Sequence, residues 1–525
     1  MIKKFLTLLL IVPMLMACGQ KPEPAPGPDD KPTPGPDDKP VAEIAVTSPT
    51  ALEADFPGGT FTLTFTSNVD WKVVPGDSWI TVSPESGAAS TSPVNVTITV
   101  MENGGTVPRS GIIYIFAGEA QKDITVSQTA DLYMGAEQEL VSGSTVLATN
   151  PNVEKFLTEV TYPDRDWSFT SVLGFYGGFN GKTYNDQGQE DPNGKMFNWA
   201  NVPNSDIPMR YSIRWNPEDM ESGAMTLVMS DQHDWSCETT IKEGARFVNI
   251  SNLVPNDQYT YRVTTAGGKV LAEGTFNTTG SLHQVFFNGK GTFSDNGSNY
   301  DWGCRNGRDL GGWEGLGGKH IKYRLLYRGG RMEKIGTGEG ADEAKAQKIG
   351  AELDLRNSDK LTKAAVDGFA FLAPGIEQGG TYMLTKGNSN GNFTKQCFEF
   401  VVNNVRQGKA VYFHCSLGRD RTGTLDILLL GLLGVREGDI GKAYEVTYFA
   451  PIGYSVSSSE KSSNPTPIFK NTRKEWVYSE VVPYFWNFAD QTAGGTFAEG
   501  VEKYLLDVAG VSQQDIDDFR SIMLE

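Results

Sequence analysis

The chain has 525 residues, with 64 acidic and 46 basic side chains and a formal net charge of −18. This length is sufficient for several domains, and the negative charge argues against nucleic acid as a partner, because nucleic-acid binding needs basic surfaces. The five cysteines and four histidines are sparse, and their spacing predicts neither a disulfide framework nor a zinc site. We therefore expect no metal or organic cofactor.

The first 17 residues are predicted to form an export signal. Lys3 and Lys4 precede an apolar run over 5–16, which is too short for an ordinary membrane span. The tetrapeptide that ends at Cys18 resembles a bacterial lipobox, which implies that Cys18 is lipidated as the first residue of the mature protein. The alternative is an ordinary signal peptide that contains a cysteine. We expect an exported protein, lipid-anchored to the cell envelope at the outer membrane, facing either the periplasm or the surface.

Residues 18–42 are predicted to be a proline-rich tether. The heptapeptide Pro-Gly-Pro-Asp-Asp-Lys-Pro occupies 26–32 and recurs at 34–40. Proline at this density favours an extended, semi-rigid spacer over a packed fold. The tether would hold the following domain away from the lipid surface.

Residues 43–130 are predicted to form a β-sandwich. Alternating apolar and polar residues occupy 61–66, 94–100, 112–116 and 124–126, with turn residues between them. The segment resembles the BACON family at Trp71, Trp79, Ser86, Gly87, Asn103, Arg109, Ser110, Gly111 and 126–128. This resemblance implies a small β-sandwich that is suspected of binding glycans. Trp71 and Trp79 are expected to be core aromatics, with a sugar-stacking platform as the alternative.

Residues 131–280 are predicted to be a second β domain. Strand-like stretches occupy 209–215, 226–229 and 247–250, whereas 150–204 has no clean periodicity. The succession of 253–263 and 274–278 resembles the closing strands of a fibronectin-type-III-like sandwich. We expect the tether and both β domains to position the C-terminal domain without contributing to its site.

Residues 281–525 alternate between strand-like and helix-like stretches, and they contain the most informative motif, His414 to Gly423. A buried strand is predicted over 410–413 and a buried helix over 424–433, with a tight loop between them. In that arrangement the loop N–H groups and the helix N-terminus converge on a phosphate-sized anion site. Arg421 can add a planar two-pronged contact, and Cys415 is expected to be a thiolate with a depressed pKa. A thiolate aimed at a bound phosphate is a nucleophile for phosphoryl transfer.

The motif resembles the cysteine-dependent phosphatases with the HCx5R(S/T) loop. Asn306, Arg308 and Asp309 precede an Asp354-Leu-Arg356 motif, and the order resembles the bacterial tyrosine-phosphatase branch that also handles lipid phosphates. The resemblance implies an α/β domain with a central, mostly parallel sheet. Arg419 stands where this branch usually has Lys, which retains the positive charge.

The resemblance also implies roles for individual residues. Cys415 is the nucleophile, Arg421 binds phosphate, and Thr422 donates its hydroxyl to Cys415. The loop residues that surround the phosphate are Ser416, Leu417, Gly418 and Arg419. The residues expected to support the loop are His414, Asp354, Arg356, Arg308 and Asp309.

The proton donor for the leaving group is assigned to Asp420, as the resemblance to this branch suggests. Between Asp367 and Asp420 the sequence has no Asp, and its only acidic residues there are Glu377 and Glu399. Asp420 lies inside the loop, where it could reach the leaving group and later activate water. Asp354 is the second choice, and the alternative for Asp420 is an ion pair with a nearby arginine.

These observations predict a phosphomonoesterase of the protein-tyrosine or dual-specificity/lipid type, acting through a Cys415-phosphate intermediate. Its substrate would be a phosphorylated protein, lipid or small molecule. One alternative is a glycan-binding surface lipoprotein whose phosphatase-like domain is inactive. Another is sulfur or arsenate transfer by the same loop, although Asp420 and Thr422 favour phosphate.

Overall fold

The computed structural model describes residues 41–54, 58–103, 109–128, 138–159, 161–162, 164, 205–288, 304–335, 339–450 and 476–525. The predicted export signal, Cys18 and nearly all of the tether lie outside these residues. Within them, every helix is too short or too polar to cross a membrane.

The N-terminal region consists of two sheets that share one apolar core. The first has the order β1-β3-β7-β5, with β1 (Ile44–Val46), β3 (Gly59–Ser67), β5 (Ile80–Ser83) and β7 (Ser90–Val100). The second has the order β2-β9-β8-β4-β6, with β2 (Ala51–Ala54), β4 (Trp71–Pro75), β6 (Ser86–Gly87), β8 (Arg109–Ala117) and β9 (Ala120–Gln128). Burial alternates along β8 and β9, as it does when one face of a strand packs on a core. The four strands predicted here are confirmed.

The middle region also contains two sheets. One has the order β10-β12-β15, with β10 (Gln138–Glu139), β12 (Tyr211–Arg214) and β15 (Phe247–Ile250). The other has the order β11-β17-β16-β13-β14, with β11 (Thr145–Leu147), β13 (Met225–Ser230), β14 (Ser236–Ile241), β16 (Gln258–Thr264) and β17 (Val270–Thr279). The strands predicted at 209–215, 226–229 and 247–250 are therefore present.

A helix that the sequence did not predict, α1 (Pro151–Glu159), lies in the middle region. Asn150 accepts a hydrogen bond from the Asn152 N–H at 3.1 Å and so caps its start. The apolar face of α1, formed by Val153, Phe156 and Leu157, belongs to the same buried core as the C-terminal sheet and helices. A helix that precedes most strands of the middle region in the chain thus contributes to the core of the C-terminal region.

The C-terminal region contains a mixed five-stranded sheet with the order β18-β19-β24-β20-β21. Its strands are β18 (Arg308–Asp309), β19 (Leu326–Gly329), β20 (Ile349–Asp354), β21 (Ala370–Leu372) and β24 (Ala410–His414). The β18–β19 pair is antiparallel and the other three pairs are parallel. All five residues of β24 are buried, as expected for the central strand of a sheet covered on both faces. A short hairpin, β22 (Gly387–Asn388) with β23 (Gly391–Asn392), lies outside this sheet.

Helices cover the C-terminal sheet. They are α2 (Glu339–Ala346), α3 (Thr381–Thr385), α4 (Phe393–Val405), α5 (Asp420–Leu432), α6 (Glu437–Glu445), α7 (Trp476–Trp486), α8 (Phe497–Tyr504) and α9 (Gln513–Met523). Every residue of α5 from Thr422 to Leu432 is buried. A helix that is buried on all sides belongs in the middle of a core, and α5 follows the central strand directly.

Polar contacts join the middle and C-terminal regions. Arg324 forms a buried ion pair with Asp231, and the Trp235 indole N–H donates to the Ala346 carbonyl at 2.6 Å. The Tyr162 hydroxyl donates to the buried Glu445 carboxylate. The predicted boundary between 280 and 281 remains a prediction, but side chains from before it help to build the C-terminal core.

We predict that Phe156→Ala destabilises the C-terminal domain. Phe156 is fully buried in that core, so its truncation should lower the opening free energy of β24 and α5 amides by about 3–5 kcal/mol. Native-state hydrogen exchange measures this quantity. Lys155→Ala, at an exposed position of the same helix, should change it by less than about 0.5 kcal/mol. Unchanged protection in Phe156→Ala would mean that α1 is not part of the C-terminal core.

Candidate active site

The predicted strand, loop and helix are present around Cys415. Strand β24 ends at His414, residues 415–419 form the loop, and α5 begins at Asp420. The helix therefore begins four residues before the predicted 424. Gly418 has φ +71°, and a Cβ there would lie 2.4 Å from the Gly329 carbonyl carbon. Only glycine fits this close approach, which packs the loop against the end of β19.

Cys415 differs electrostatically from the other three cysteines that the structure describes. Burial raises the pKa of Cys237 to about 11 and of Cys304 to about 12, and it also raises the pKa of Cys397. Burial acts in the same direction on Cys415, which is 3% exposed, but the charge of Arg421 and the polar groups of nearby Thr422 outweigh it. The pKa of Cys415 is therefore lowered, as a thiolate nucleophile requires.

Asp420 and Arg421 are the first two residues of helix α5. The Arg421 guanidinium donates to the Ile376 carbonyl at 3.0 Å, so the 373–380 segment fixes its orientation. Asp420 accepts hydrogen bonds from Arg419 Nε at 3.0 Å and Nη2 at 3.2 Å, and its side chain is 30% exposed. The ion pair that was the alternative for Asp420 is thus formed in the structure. It leaves the carboxylate partly open to an incoming ligand.

His414 is fully buried and holds the strand end in place. One ring nitrogen lies 3.0 Å from Glu352 Oε1 and the other lies 3.2 Å from the Cys415 carbonyl oxygen. Burial lowers the pKa of His414, but the hydrogen bond to Glu352 and the charges of Asp354 and Glu352 outweigh this effect and raise it. These contacts suit the predicted supporting role.

Asp354 and Arg356 form a buried unit beside the loop. Asp354 accepts hydrogen bonds from Arg356 Nε at 2.8 Å, from Nη2 at 2.9 Å and from the Leu361 N–H at 2.8 Å. Burial raises the pKa of Asp354, yet these hydrogen bonds and the charge of His414 lower it overall. A carboxyl group held in its charged form is a poor proton donor, so Asp354 fits the supporting role and not its second-choice role as the acid.

Ser416 is held by Asp359, which the sequence analysis did not identify as a site residue. Its hydroxyl donates to Asp359 Oδ2 at 3.0 Å, and its carbonyl accepts from the Arg331 N–H at 3.3 Å. Asp359 lies 3.7 Å from guanidinium nitrogens of both Arg331 and Arg356. This cluster connects the loop to the Asp354–Arg356 pair.

Arg308 and Asp309 differ in how close their contacts come to the loop. Arg308 donates to Asn306, which contacts the loop, and to the Thr447 hydroxyl at 3.1 Å. Asp309 instead accepts hydrogen bonds from the Gly311 and Arg324 N–H groups and contacts His283. Asp309 therefore supports the fold around β18, and its hydrogen bonds in the described residues do not reach residues 415–419.

Two more side chains hold the carbonyl groups of the loop. The Asn306 amide donates to the carbonyl oxygens of Leu417 at 3.1 Å and Gly418 at 3.2 Å. Arg328, which pairs with buried Asp426, donates to the Gly418 carbonyl at 2.6 Å. With its carbonyls held on this side, the loop can direct its N–H groups the other way.

The middle region, which the sequence predicted only to position the C-terminal domain, also contacts this network. Asp206 accepts from the Asn306 N–H at 2.8 Å and forms a buried ion pair with Arg305. No local sequence pattern marks Asp206, because its partners lie about a hundred positions later in the chain.

Comparison with known proteins identifies two parts of the chain. Residues 302–525 match the tyrosine phosphatase family model, and residues 47–129 match the BACON model, described as an N-terminal binding domain. Residues 302–525 are therefore a tyrosine phosphatase family domain. The N-terminal region is a BACON domain.

Two curated relatives are named as tyrosine-protein phosphatases. One, from Cupriavidus necator, is 31% identical over 26% of this chain and 57% of its own length. The other, from Nostoc commune, is 35% identical over 16% of this chain and 28% of its own. The match thus spans at most a little over half of either relative. A Bacteroides ovatus GH5 xyloglucanase structure is 20% identical over 26% of this chain and 32% of that chain, with a TM-score of 0.16, too low to carry an argument.

The two BACON tryptophans have different environments. Trp71 is 5% exposed and packs edge-on against Phe65 at 5.1 Å, so it is a core residue, as expected. Trp79 is partly buried, and the Arg109 guanidinium lies 4.3 Å from the centre of its ring. A sugar would have to displace Arg109 to stack on that face of Trp79.

We predict that Arg421→Ala raises the pH at which Cys415 becomes reactive. The charge of Arg421 is the largest effect that lowers the pKa of Cys415, so its removal moves this pKa upward. The rate of iodoacetamide alkylation at Cys415, followed by peptide mass spectrometry over a pH series, reports the thiolate fraction. Arg406→Ala, which removes an arginine paired with Asp515 and Asp518, should leave the profile unchanged. An unaltered midpoint in Arg421→Ala would contradict this assignment.

Proposed function

We propose that the chain is a phosphomonoesterase that acts through a Cys415-phosphate intermediate. The observation that carries the proposal is the buried position of Cys415 in the loop that leads into α5, near Arg421, whose charge lowers the pKa of the cysteine. A buried thiolate is costly unless positive charge compensates it, and the same positive field binds a phosphate dianion. The positive charge that stabilises the Cys415 thiolate would therefore also bind the phosphate group of the substrate.

In the first step, Cys415 Sγ attacks phosphorus while the bond from phosphorus to the ester oxygen breaks. The proton for the departing oxygen is assigned to Asp420, which pairs with Arg419 in the free protein. Asp420 then gives its proton to the departing oxygen, so that an alcohol or phenol leaves. Arg421 and the loop N–H groups hold the equatorial phosphate oxygens.

In the second step, water attacks phosphorus and the phosphorus–sulfur bond breaks. Asp420 accepts the proton from this water, inorganic phosphate is released, and Cys415 leaves as a thiolate. Thr422 and Arg421 stabilise that leaving thiolate, as they do in the free enzyme. The residues return to their starting charge states.

The proposed substrate class is a phosphorylated protein, lipid or small molecule, with a protein-tyrosine or dual-specificity/lipid phosphatase as the type of enzyme. The relatives named as tyrosine-protein phosphatases support the protein-tyrosine type. The recessed position of Cys415, which is 3% exposed, favours a slender leaving group such as a phenol.

The alternative is a glycan-binding surface lipoprotein with an inactive phosphatase-like domain. The joint presence of Cys415, Asp420, Arg421 and Thr422 argues against inactivity. Glycan binding by the BACON domain remains compatible with an active enzyme, and Arg109 over Trp79 is the feature that such binding would change.

We also propose the envelope location that the N-terminal sequence predicts. Residues 1–17 would be removed, Cys18 would carry the lipid, and residues 18–42 would space a BACON sandwich and a fibronectin-type-III-like domain from the membrane. Mass spectrometry of the membrane-extracted protein tests this, because the mature N-terminus should be a lipid-modified Cys18.

Cys415→Ser is expected to abolish hydrolysis of para-nitrophenyl phosphate. A serine hydroxyl is far less acidic than this thiol, so no comparable nucleophile forms, but the loop keeps its N–H groups and Arg421. Binding of inorganic phosphate, measured by calorimetry, should therefore persist. Cys397→Ser, at a buried cysteine in α4, is the matched control and should retain turnover. More than a trace of activity in Cys415→Ser would disprove the proposed nucleophile.

Asp420→Asn is expected to slow alkyl phosphates much more than aryl phosphates. The amide keeps the shape of the side chain but has no proton to give, so kcat on an alkyl phosphate should fall on the order of 10²–10⁴-fold. An acidic phenol needs less assistance, and its loss should be much smaller. Asp354→Asn should show no dependence on the leaving group, because Asp354 is held by Arg356. Equal losses for both substrates in Asp420→Asn would move the acid elsewhere, with Glu377 next in line.

A further inference from the structure

We propose that Asp206, in the middle region, is a positioning residue for the phosphate loop of the C-terminal domain. Asp206 lies outside residues 302–525, which match the tyrosine phosphatase family. The proposal rests on the proposed function, since it gives Asp206 a part in phosphate ester hydrolysis. It means that the catalytic unit extends beyond the family domain into the preceding region.

Asp206 is buried at the junction of the two regions. Its side chain is 2% exposed and that of Arg305 is fully buried. Oδ2 accepts hydrogen bonds from Arg305 Nε at 2.9 Å and from the Asn306 backbone N–H at 2.8 Å, while Oδ1 pairs with Arg305 Nη2. One carboxylate therefore fixes the backbone and side chains of two consecutive residues.

Asn306 carries this constraint to the loop. Its backbone has φ +58°, a left-handed conformation that is uncommon for residues other than glycine but that asparagine adopts more readily than most. From that conformation its amide nitrogen reaches the carbonyl oxygens of Leu417 and Gly418. Because peptide groups are planar, the orientation of these carbonyls sets the direction of the N–H groups of Gly418 and Arg419.

Arg305 supplies a second connection to the same part of the loop. Its carbonyl oxygen accepts from the Gly330 N–H at 2.8 Å, and Gly330 follows Gly329, the residue on which Gly418 packs. Both connections from Asp206 therefore lead to Leu417 and Gly418, which are part of the proposed phosphate loop. A displacement of about 1 Å at such a site can lower a rate by about 100-fold.

A purely structural role for Asp206 would give a different pattern of effects, and the chain contains a matched comparison. Asp231 forms the same kind of buried ion pair across the same junction, with Arg324. Within the described residues, the other contacts of Arg324 are with Tyr259, Asp309 and the ring of Trp235, and none of them is with residues 415–419. Loss of either ion pair should weaken the junction, but only loss of the Asp206 pair should alter the phosphate loop.

The experiment compares Asp206→Ala, Asp206→Asn and Asp231→Asn in the full chain. With para-nitrophenyl phosphate as the probe, kcat/KM should fall about 10- to 100-fold in Asp206→Ala. The loss should be smaller in Asp206→Asn, whose remaining oxygen can still accept from the Asn306 N–H. Asp231→Asn should stay within about twofold of the wild type. Circular dichroism establishes that each variant compared is folded.

Two further measurements separate positioning from stability. The midpoint of the pH profile for Cys415 alkylation should rise in Asp206→Asn, because misdirected N–H groups stabilise the thiolate less, and it should not move in Asp231→Asn. In a double-mutant cycle with Asn306→Asp, which removes the donor to the loop, the kcat/KM losses should be strongly non-additive. Alkylation does not require turnover, so it tests Asp206 even if the wild type hydrolyses no phosphate ester. Additive losses, or the same alkylation profile in all variants, would overturn the proposal.

Discussion

The constraint on which the C-terminal domain depends is the free energy needed to hold a negatively charged thiolate at Cys415, which is almost fully buried. Burial alone would raise the pKa of Cys415, as it does for Cys304 and Cys397. Arg421, Thr422 and the start of α5 reverse this effect at one position only among the cysteines described. Central strand β24 and the fully buried helix α5 are the elements that bring these groups together, because a strand and a helix joined by a tight loop converge there.

The surroundings of the loop are stiff because three of the charged side chains that support it form buried ion pairs. Arg328 pairs with Asp426, Arg356 with Asp354, and His414 with Glu352. An unpaired buried charge would cost several kcal/mol, so each partner fixes the other in one geometry. The loop inherits this geometry through the contacts to Gly418 and to the Cys415 carbonyl. A fixed array of N–H groups requires no reorganisation when phosphate binds, which is the advantage of a preorganised site.

Local patterns predicted much of this architecture from the sequence. The strand at 410–413 and the buried helix after the loop follow from a short and a long continuous apolar run, and the strands of the BACON domain follow from their alternation of apolar and polar residues. The loop chemistry follows from Cys415 and Arg421. Helix α1 was missed because its surroundings in the sequence have no clean period. Asp206 and Asp359 were missed because their roles depend on contacts with residues distant in the chain, which a single sequence does not display. Asp354 was the second choice for the acid because the sequence does not show that Arg356 donates two hydrogen bonds to its carboxylate.

The central claim is that phosphate passes through a covalent bond to Cys415. Rapid quenching of the wild type with para-nitrophenyl phosphate at acidic pH, followed by peptide mass spectrometry, tests it most directly. The account predicts that the peptide containing Cys415 gains the mass of one phosphoryl group during turnover, and that this species accumulates further in Asp420→Asn, which lacks the base for the second step. Turnover with phosphate on no residue, or on a residue other than Cys415, would contradict the account.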